Sequence, residues 1–220
     1  MNSPRFFFVP VQLVVVCCTN DSVLDTNEIS CYNAQKNTRR GSMTLVKQNR
    51  YIPPDHYAAI RRRLSPRMVA MCDLLRWTGY RVDDVLHTTV GDWRGDHVTI
   101  TESKTGNVRT VHLNAIAVAS IRKLLAYRPG VKDDEPMFPG ERLRTGDTPW
   151  LHRSTVWRRF TAAVKAAGLD GHGYTIHSLR KMYAVERYDQ TQSLLAVQHD
   201  LGHKKIDTTL WYVCGSDIRL

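Results

Sequence analysis

The chain reads as an α-rich α+β protein, mostly helical with one small antiparallel β-hairpin. Two observations carry this reading. Proline, serine and glycine punctuate the apolar pattern into helix-length segments, and one pair of short period-2 segments, joined by a glycine-bearing turn, interrupts them near the middle.

The ordered part is expected to begin near Arg50. Pro53-Pro54-Asp55 opens a helix ending near Leu64, and Ser65-Pro66 supplies an N-cap and a first-turn proline for a second helix. That helix runs to about Thr78 and stops at Gly79, because glycine accepts the left-handed conformation of a helix terminus. A short helix over 81–86 precedes the hairpin. His97 to Thr101 places Val98 and Ile100 on one face, Arg109 to Leu113 places Val111 and Leu113 likewise, and Ser103 to Asn107 connects them with Lys104 beside the tip. A helix from Ala115 to Tyr127 is followed by a long loop, Gly130 to Pro149. Ser154 is expected to cap the next helix, which ends before Gly168. Helices over 178–188, 191–201 and 206–213 complete the chain.

A net charge of +10 points to a polyanionic partner, with nucleic acid ahead of an anionic membrane surface. The first 43 residues set four cations (Arg5, Lys36, Arg39, Arg40) against three acids (Asp21, Asp25, Glu28), so the basic excess belongs to the rest. Cys17, Cys18, Cys31, Cys72 and Cys214 show no metal-ligand spacing and are odd in number, which reads as reduced thiols with neither a disulfide framework nor a zinc site. The apolar run Phe6 to Cys18 is too short to span a bilayer. It lacks the small residues of a signal cleavage site and reads instead as a strand or as sequence upstream of a natural start, for which Met43 is a candidate. Residues 19–42 are polar and aperiodic, as a linker is.

The chemistry lies in four segments. TGYRVDDVL carries Arg81, ESKTGNVRTVHL carries Lys104, TIHSLR carries His177 and Arg180, and LGHKKIDTTLWYV carries His203 and Tyr212. Opening a phosphodiester requires stabilising charge on the non-bridging oxygens and protonating the departing alkoxide. Arginine suits the first task, since its planar fork grips two oxygens and stays charged. A lysine on a mobile hairpin suits the second. A tyrosine hydroxyl, with a reference pKa of about 10, needs a proton acceptor and an electropositive setting before it attacks. His177, His203 and the arginines offer both.

In order and spacing these segments resemble the catalytic domain of the tyrosine recombinases, the phage-integrase family of DNA breaking-rejoining enzymes. The resemblance covers about residue 50 to 214 and makes Arg81 the first phosphate clamp, Asp84 its supporting acid, Lys104 the hairpin lysine, His177 and Arg180 the His-x-x-Arg box, and His203 and Tyr212 the last histidine and the nucleophile. It departs from the family at Lys181, where many members have histidine, and in the eight residues after Tyr212, where several relatives have a longer docking segment.

The implied domain plan is an irregular segment over 1–49 with no complete core-binding domain, followed by a catalytic domain over 50–220. The implied function is site-specific DNA recombination through a 3′-phosphotyrosyl intermediate, for a phage or integrative mobile element. It needs no cofactor and no metal. The implied partners are double-stranded DNA, a homotetramer on paired sites and an accessory DNA-bending protein; no membrane is involved, and the setting is cytoplasmic and nucleoid-associated. Two alternatives stay open: a shortened, non-catalytic DNA-binding remnant, and a type IB topoisomerase-like relaxing activity.

Overall fold

The computed structural model describes residues 50–140 and 149–214. The sequence expectations for residues 1–49, including the apolar run and Cys17, Cys18 and Cys31, lie outside the described residues. Helix α1 spans Pro54–Arg61, α2 Pro66–Thr78 and α3 Val82–Leu86. A 3-10 turn, Gly91–Trp93, leads to β1 (His97–Thr101) and β2 (Val108–His112). Helices α4 (Ala115–Ala126), α5 (Arg153–Ala166), α6 (His177–Thr191), α7 (Leu194–Leu201) and α8 (Ile206–Cys214) follow. The fold class is therefore as expected: mostly helical, with a two-stranded antiparallel sheet.

Helix α2 is the central post, packed against α4 on one side and α6 on another. It buries Met68, Met71, Cys72, Leu74 and Leu75, and it also buries Asp73. That carboxylate accepts the Tyr57 hydroxyl at 2.6 Å, the Arg61 guanidinium at 2.8 Å and the Ser120 hydroxyl, tying α1 and α4 to α2. A buried charge is tolerated only when its hydrogen-bonding capacity is met, and here two neighbouring helices meet it.

Local chemistry sets the helix ends. The Ser65 hydroxyl accepts from the Met68 amide, as expected for its N-cap position. Gly79 adopts φ 65° and ends α2. A Cβ at that position would lie 2.5 Å from Cδ1 of Tyr183, so both conformation and space require glycine. The expected cap of α5 is displaced: the His152 side chain, not Ser154, accepts an early amide, from Ser154 itself. Helix α6 runs on to Thr191, and Gln192 at φ 49° breaks it from α7, which Ser193 caps.

The hairpin pairs His97 with His112 and Thr101 with Val108. The described part of the Gly130 to Pro149 loop is tied inward. The Val90 amide donates to Glu135 O and the Met137 amide to Thr88 O, and Met137 and Phe138 become fully buried. A second, smaller apolar cluster joins α6, α7 and α8 through Ala184, Val197, Leu201 and Val213, with Tyr183 and Tyr212 against it.

Gly79→Ala adds a left-handed alanine, costing about 1–2 kcal/mol, and an overlap with Tyr183 that adds a packing cost of about 1–3 kcal/mol. Urea unfolding is expected to show the variant destabilised by about 2 kcal/mol or more. An unchanged midpoint would contradict this account of the α2 terminus.

Candidate active site

Arg81, Arg180 and His203 converge at the ends of three helices. Arg81 is the N-cap residue of α3, Arg180 lies in the first turn of α6, and His203 follows the α7 terminus. The Arg81 Nη1 donates to Glu102 Oε2 at 2.6 Å. The other oxygen of Glu102 accepts Arg109 Nη1 at 3.1 Å and stands 3.9 Å from Arg180 Nη1. One buried carboxylate therefore faces three guanidinium groups. Burial alone would raise the Glu102 pKa, but hydrogen bonds from Arg81, Thr105 and Arg109 outweigh it and hold the carboxyl below its ordinary value.

Arg180 is 2% exposed. Its closest acceptors are backbone carbonyls, Gly79 O and, at 2.5 Å, Leu201 O. Both carbonyls lie at helix C-termini, where unpaired C=O groups and the helix dipole favour a cation. Burial and then the nearby Arg81 charge lower the Arg180 pKa to about 10, which leaves it charged at neutral pH. Gly202, at φ 62°, ends α7, and a Cβ there would approach Glu102 Oε2 to 3.1 Å.

His203 Nε2 faces Arg180 Nη2 at 3.5 Å, while Nδ1 pairs with the buried Thr209 hydroxyl at 3.0 Å. An arginine N–H can only donate, so the ring nitrogen facing it is assigned the lone pair and Nδ1–H donates to Thr209. Burial first, then Arg180 and Arg81, push the His203 pKa down to about 4, so the ring is neutral at pH 7. The Tyr212 ring is tilted against it, with centroids 5.2 Å apart. His177 begins α6 with an exposed side chain; desolvation beside the surface, then Arg180 and Arg153, lower its pKa.

The remaining predicted residues lie on the hairpin side. Asp84 is buried, and its Oδ1 accepts both the Ser103 amide at 2.9 Å and the Ser103 hydroxyl at 2.8 Å. Its Oδ2 lies 3.9 Å from Arg81. The carboxylate in direct contact with Arg81 is thus Glu102, with Asp84 behind it. Lys104 is exposed at the turn.

Glu102 and Arg109 went unrecognised in the sequence, although a signal was present. Alternation along β1 that turns Val98 and Ile100 inward also turns position 102 inward, and the same rule turns Arg109 inward on β2. Opposite charges on the buried face of one hairpin announce an internal ion pair. Tyr80 seals it from below: the Arg109 guanidinium lies 4.5 Å from the ring centroid, and burial raises the Tyr80 hydroxyl pKa to about 12.

Such a cluster of buried arginines beside a neutral imidazole and a tyrosine can bind and polarise a phosphodiester. A profile of the phage integrase family matches residues 54–217. The chain belongs to the phage integrase family. It is 28% identical over 134 residues to the probable integrase/recombinase YoeC of Bacillus subtilis, covering 60% of this chain and 69% of YoeC. It is 30% identical over 152 residues to the tyrosine recombinase XerD of Caulobacter vibrioides, covering 66% of this chain but 48% of XerD. The chain thus spans about half the length of that relative. Among solved structures, a lambda integrase fragment (residues 75–356) crystallised as a dimer on a COC′ core site superposes with a TM-score of 0.66 at 26% identity, over 83% of this chain and 65% of that one. XerA recombinase shares the fold, with a TM-score of 0.65 at 22% identity, over 86% of this chain and 72% of that one.

Two predictions test this electrostatic arrangement. Glu102→Ala leaves Arg109 and Arg180 buried without their shared counter-charge, and is expected to cost about 3–5 kcal/mol in urea unfolding; a loss below about 1 kcal/mol would mean that the carbonyls alone support the cluster. For His203, the folded pKa of about 4 lies below the ordinary 6.5, so between these values the unfolded chain binds the extra proton. Its contribution to stability is full above pH 6.5 and is lost as pH falls toward 4. His203→Gln is expected to flatten stability against pH in that window, and an unchanged slope would refute the neutral, desolvated imidazole.

Proposed function

We propose that the chain is a tyrosine-type site-specific recombinase or integrase that cuts and rejoins DNA strands, with residues 50–220 as its catalytic domain. The observation that carries this reading is the convergence of Arg81, Arg180 and His203 on one point beside Tyr212. In the reaction, the scissile phosphate sits on Arg81, Arg180 and His203 while the Tyr212 oxygen attacks phosphorus. Lys104 protonates the departing 5′ oxygen. A 3′-phosphotyrosyl bond forms as the P–O5′ bond breaks, and a 5′ hydroxyl from a partner strand later reverses the exchange. The phosphodiester energy stays in the covalent link, so the proposed reaction has no need of ATP.

The setting of His203 suits this role. A phosphate oxygen accepts hydrogen bonds only, so holding it from Nε2 requires the proton on that nitrogen. The Thr209 hydroxyl at 3.0 Å can donate to a bare Nδ1 as readily as accept from Nδ1–H, so the ring can change tautomer and keep its anchor. Asp84 supports the Arg81 box from behind, and His177 is the proposed acceptor of the Tyr212 hydroxyl proton.

Double-stranded DNA is the proposed substrate. The net charge of +10 supports it, as do Arg153, Trp157 and Arg158, which α5 presents to solvent, and the DNA-bound state of the lambda integrase fragment. Among the described residues no helix is long and apolar enough to cross a membrane. The proposed assembly is a homotetramer on paired sites, assisted by a DNA-bending protein, in the service of a phage or integrative element and associated with the nucleoid.

The test is covalent trapping on nicked duplexes cut from the DNA flanking the gene, without added metal. A slow band on a denaturing gel is expected from the wild-type chain. Tyr212→Phe should give none, with DNA affinity held within about twofold, since only a hydroxyl is removed. DNA binding with no band from either protein would refute cleavage and point to a binding remnant.

A further inference from the structure

The two chain neighbours of Lys104 are both moored beside Arg81. Ser103 gives its amide and its hydroxyl to Asp84 Oδ1, at 2.9 and 2.8 Å. On the other side, the Thr105 hydroxyl donates to Glu102 Oε2 at 2.8 Å, the same oxygen that accepts Arg81 at 2.6 Å. The turn is closed on Glu102 as well. Its carbonyl accepts the Gly106 amide at 2.8 Å, and its own amide donates to Asn107 O at 2.8 Å. Gly106 meets this geometry at φ 71°. The backbone around Lys104 is pinned at positions 103 and 105, and both pins lead to carboxylates that flank one arginine.

This arrangement has a purpose that a simple turn would not need. A lysine side chain has several rotatable bonds and loses rotamer entropy when held in one place. Fixing its Cα is the cheapest way to restrict where the ammonium can reach. A surface turn can be closed by backbone hydrogen bonds alone. Here two side-chain hydroxyls are spent on buried carboxylates that already serve, or stand near, a guanidinium.

We propose that Thr105 and Glu102, seconded by Ser103 and Asp84, are positioning residues that tie the hairpin lysine to the phosphate-holding Arg81. The inference rests on the reading of Lys104 as the proton donor to the leaving oxygen. In that step the Tyr212 hydroxyl gives its proton to His177 as its oxygen bonds to phosphorus, the P–O5′ bond breaks with its electron pair going to O5′, and the Lys104 ammonium proton is transferred there. The position of Lys104 matters only to that proton. Replacing the bridging 5′ oxygen by sulfur removes the requirement, because a thiolate, with a conjugate-acid pKa of roughly 8.5, leaves without prior protonation.

The experiment measures the rate of covalent adduct formation on nicked duplexes carrying either oxygen or sulfur at the scissile 5′ bridge. Wild type, Lys104→Ala, Thr105→Val, Thr105→Ser and Ser103→Ala are compared. Thr105→Val keeps shape and loses only the hydroxyl at a half-buried site; it is expected to slow the oxygen substrate about tenfold to a hundredfold, the range for a misplaced catalytic group. Thr105→Ser keeps the hydroxyl and should match wild type. Ser103→Ala, which retains the backbone bond to Asp84, should show a smaller slowing of the same kind and gives an independent reading. On the sulfur substrate all four variants should react at the wild-type rate.

Thr105→Val at the wild-type rate on oxygen, or slowed equally on both substrates, would overturn the positioning role while leaving the lysine in place as acid. Lys104→Ala slowed equally on both substrates would instead remove the lysine from the chemistry, and the proposal with it. No adduct from the wild-type chain on either substrate would defeat strand cleavage and the positioning role together.

Discussion

Everything at this site depends on one carboxylate that water does not reach. Glu102 is fully buried, and Arg81, Arg109 and Arg180 surround it. Like charges about 4 Å apart repel by about 4 kcal/mol even at an effective dielectric near 20. Three guanidiniums could not share this space without a negative centre. Taking a carboxylate out of water is itself costly, so the arrangement holds only because each partner is satisfied elsewhere as well. Arg109 lies over Tyr80 and reaches Thr78 O at 3.2 Å, and Arg180 is received by Gly79 and Leu201. Arg81 alone keeps substantial contact with solvent, its side chain 21% exposed. It is accordingly the first of the three that an incoming anion meets.

The scaffold explains how distant segments meet at this carboxylate. The acceptors for Arg180 come from the ends of α2 and α7, two helices separated in the chain, among the described residues, by the hairpin and four other α-helices. Left-handed glycines at positions 79 and 202 stop those helices where their last carbonyls point at the guanidinium. The short run from Gly202 to α8 then brings His203 beside Arg180, and the small cluster of Ala184, Val197, Leu201 and Val213 holds α8 so that Tyr212 lies against that imidazole. Capping, packing and charge therefore act on the same few residues.

Much of this was legible in the sequence. Helix α2 and its two termini followed from Ser65, Pro66 and Gly79, and the hairpin from the alternation of Val98, Ile100, Val111 and Leu113. The boxes around Arg81, Arg180 and His203 stood out because their residue types suit phosphodiester chemistry and their order and spacing resemble the tyrosine recombinases. Glu102 and Arg109 did not stand out, since each looks like an ordinary hairpin charge until the period-2 rule is carried one residue past the apolar run. The α5 cap was assigned by residue preference to Ser154, whereas His152, a less favoured capping residue, makes the contact. The burial of Met137 and Phe138 was hidden in a stretch rich in proline and charge, because it arises from bridging to Thr88 and Thr89 rather than from local pattern.

The most direct test of this account is the titration of the Glu102 carboxyl itself. With 13C-labelled glutamate and Glu102→Gln to assign the resonance, the carboxyl shift can be followed against pH in the free protein. The account predicts that Glu102 remains ionised below the ordinary carboxylate range, because hydrogen bonds from Arg81, Thr105 and Arg109 outweigh its burial. A midpoint at or above the ordinary value of 4.5 would show that the guanidiniums are not gathered around this charge, and the site as described here would fall.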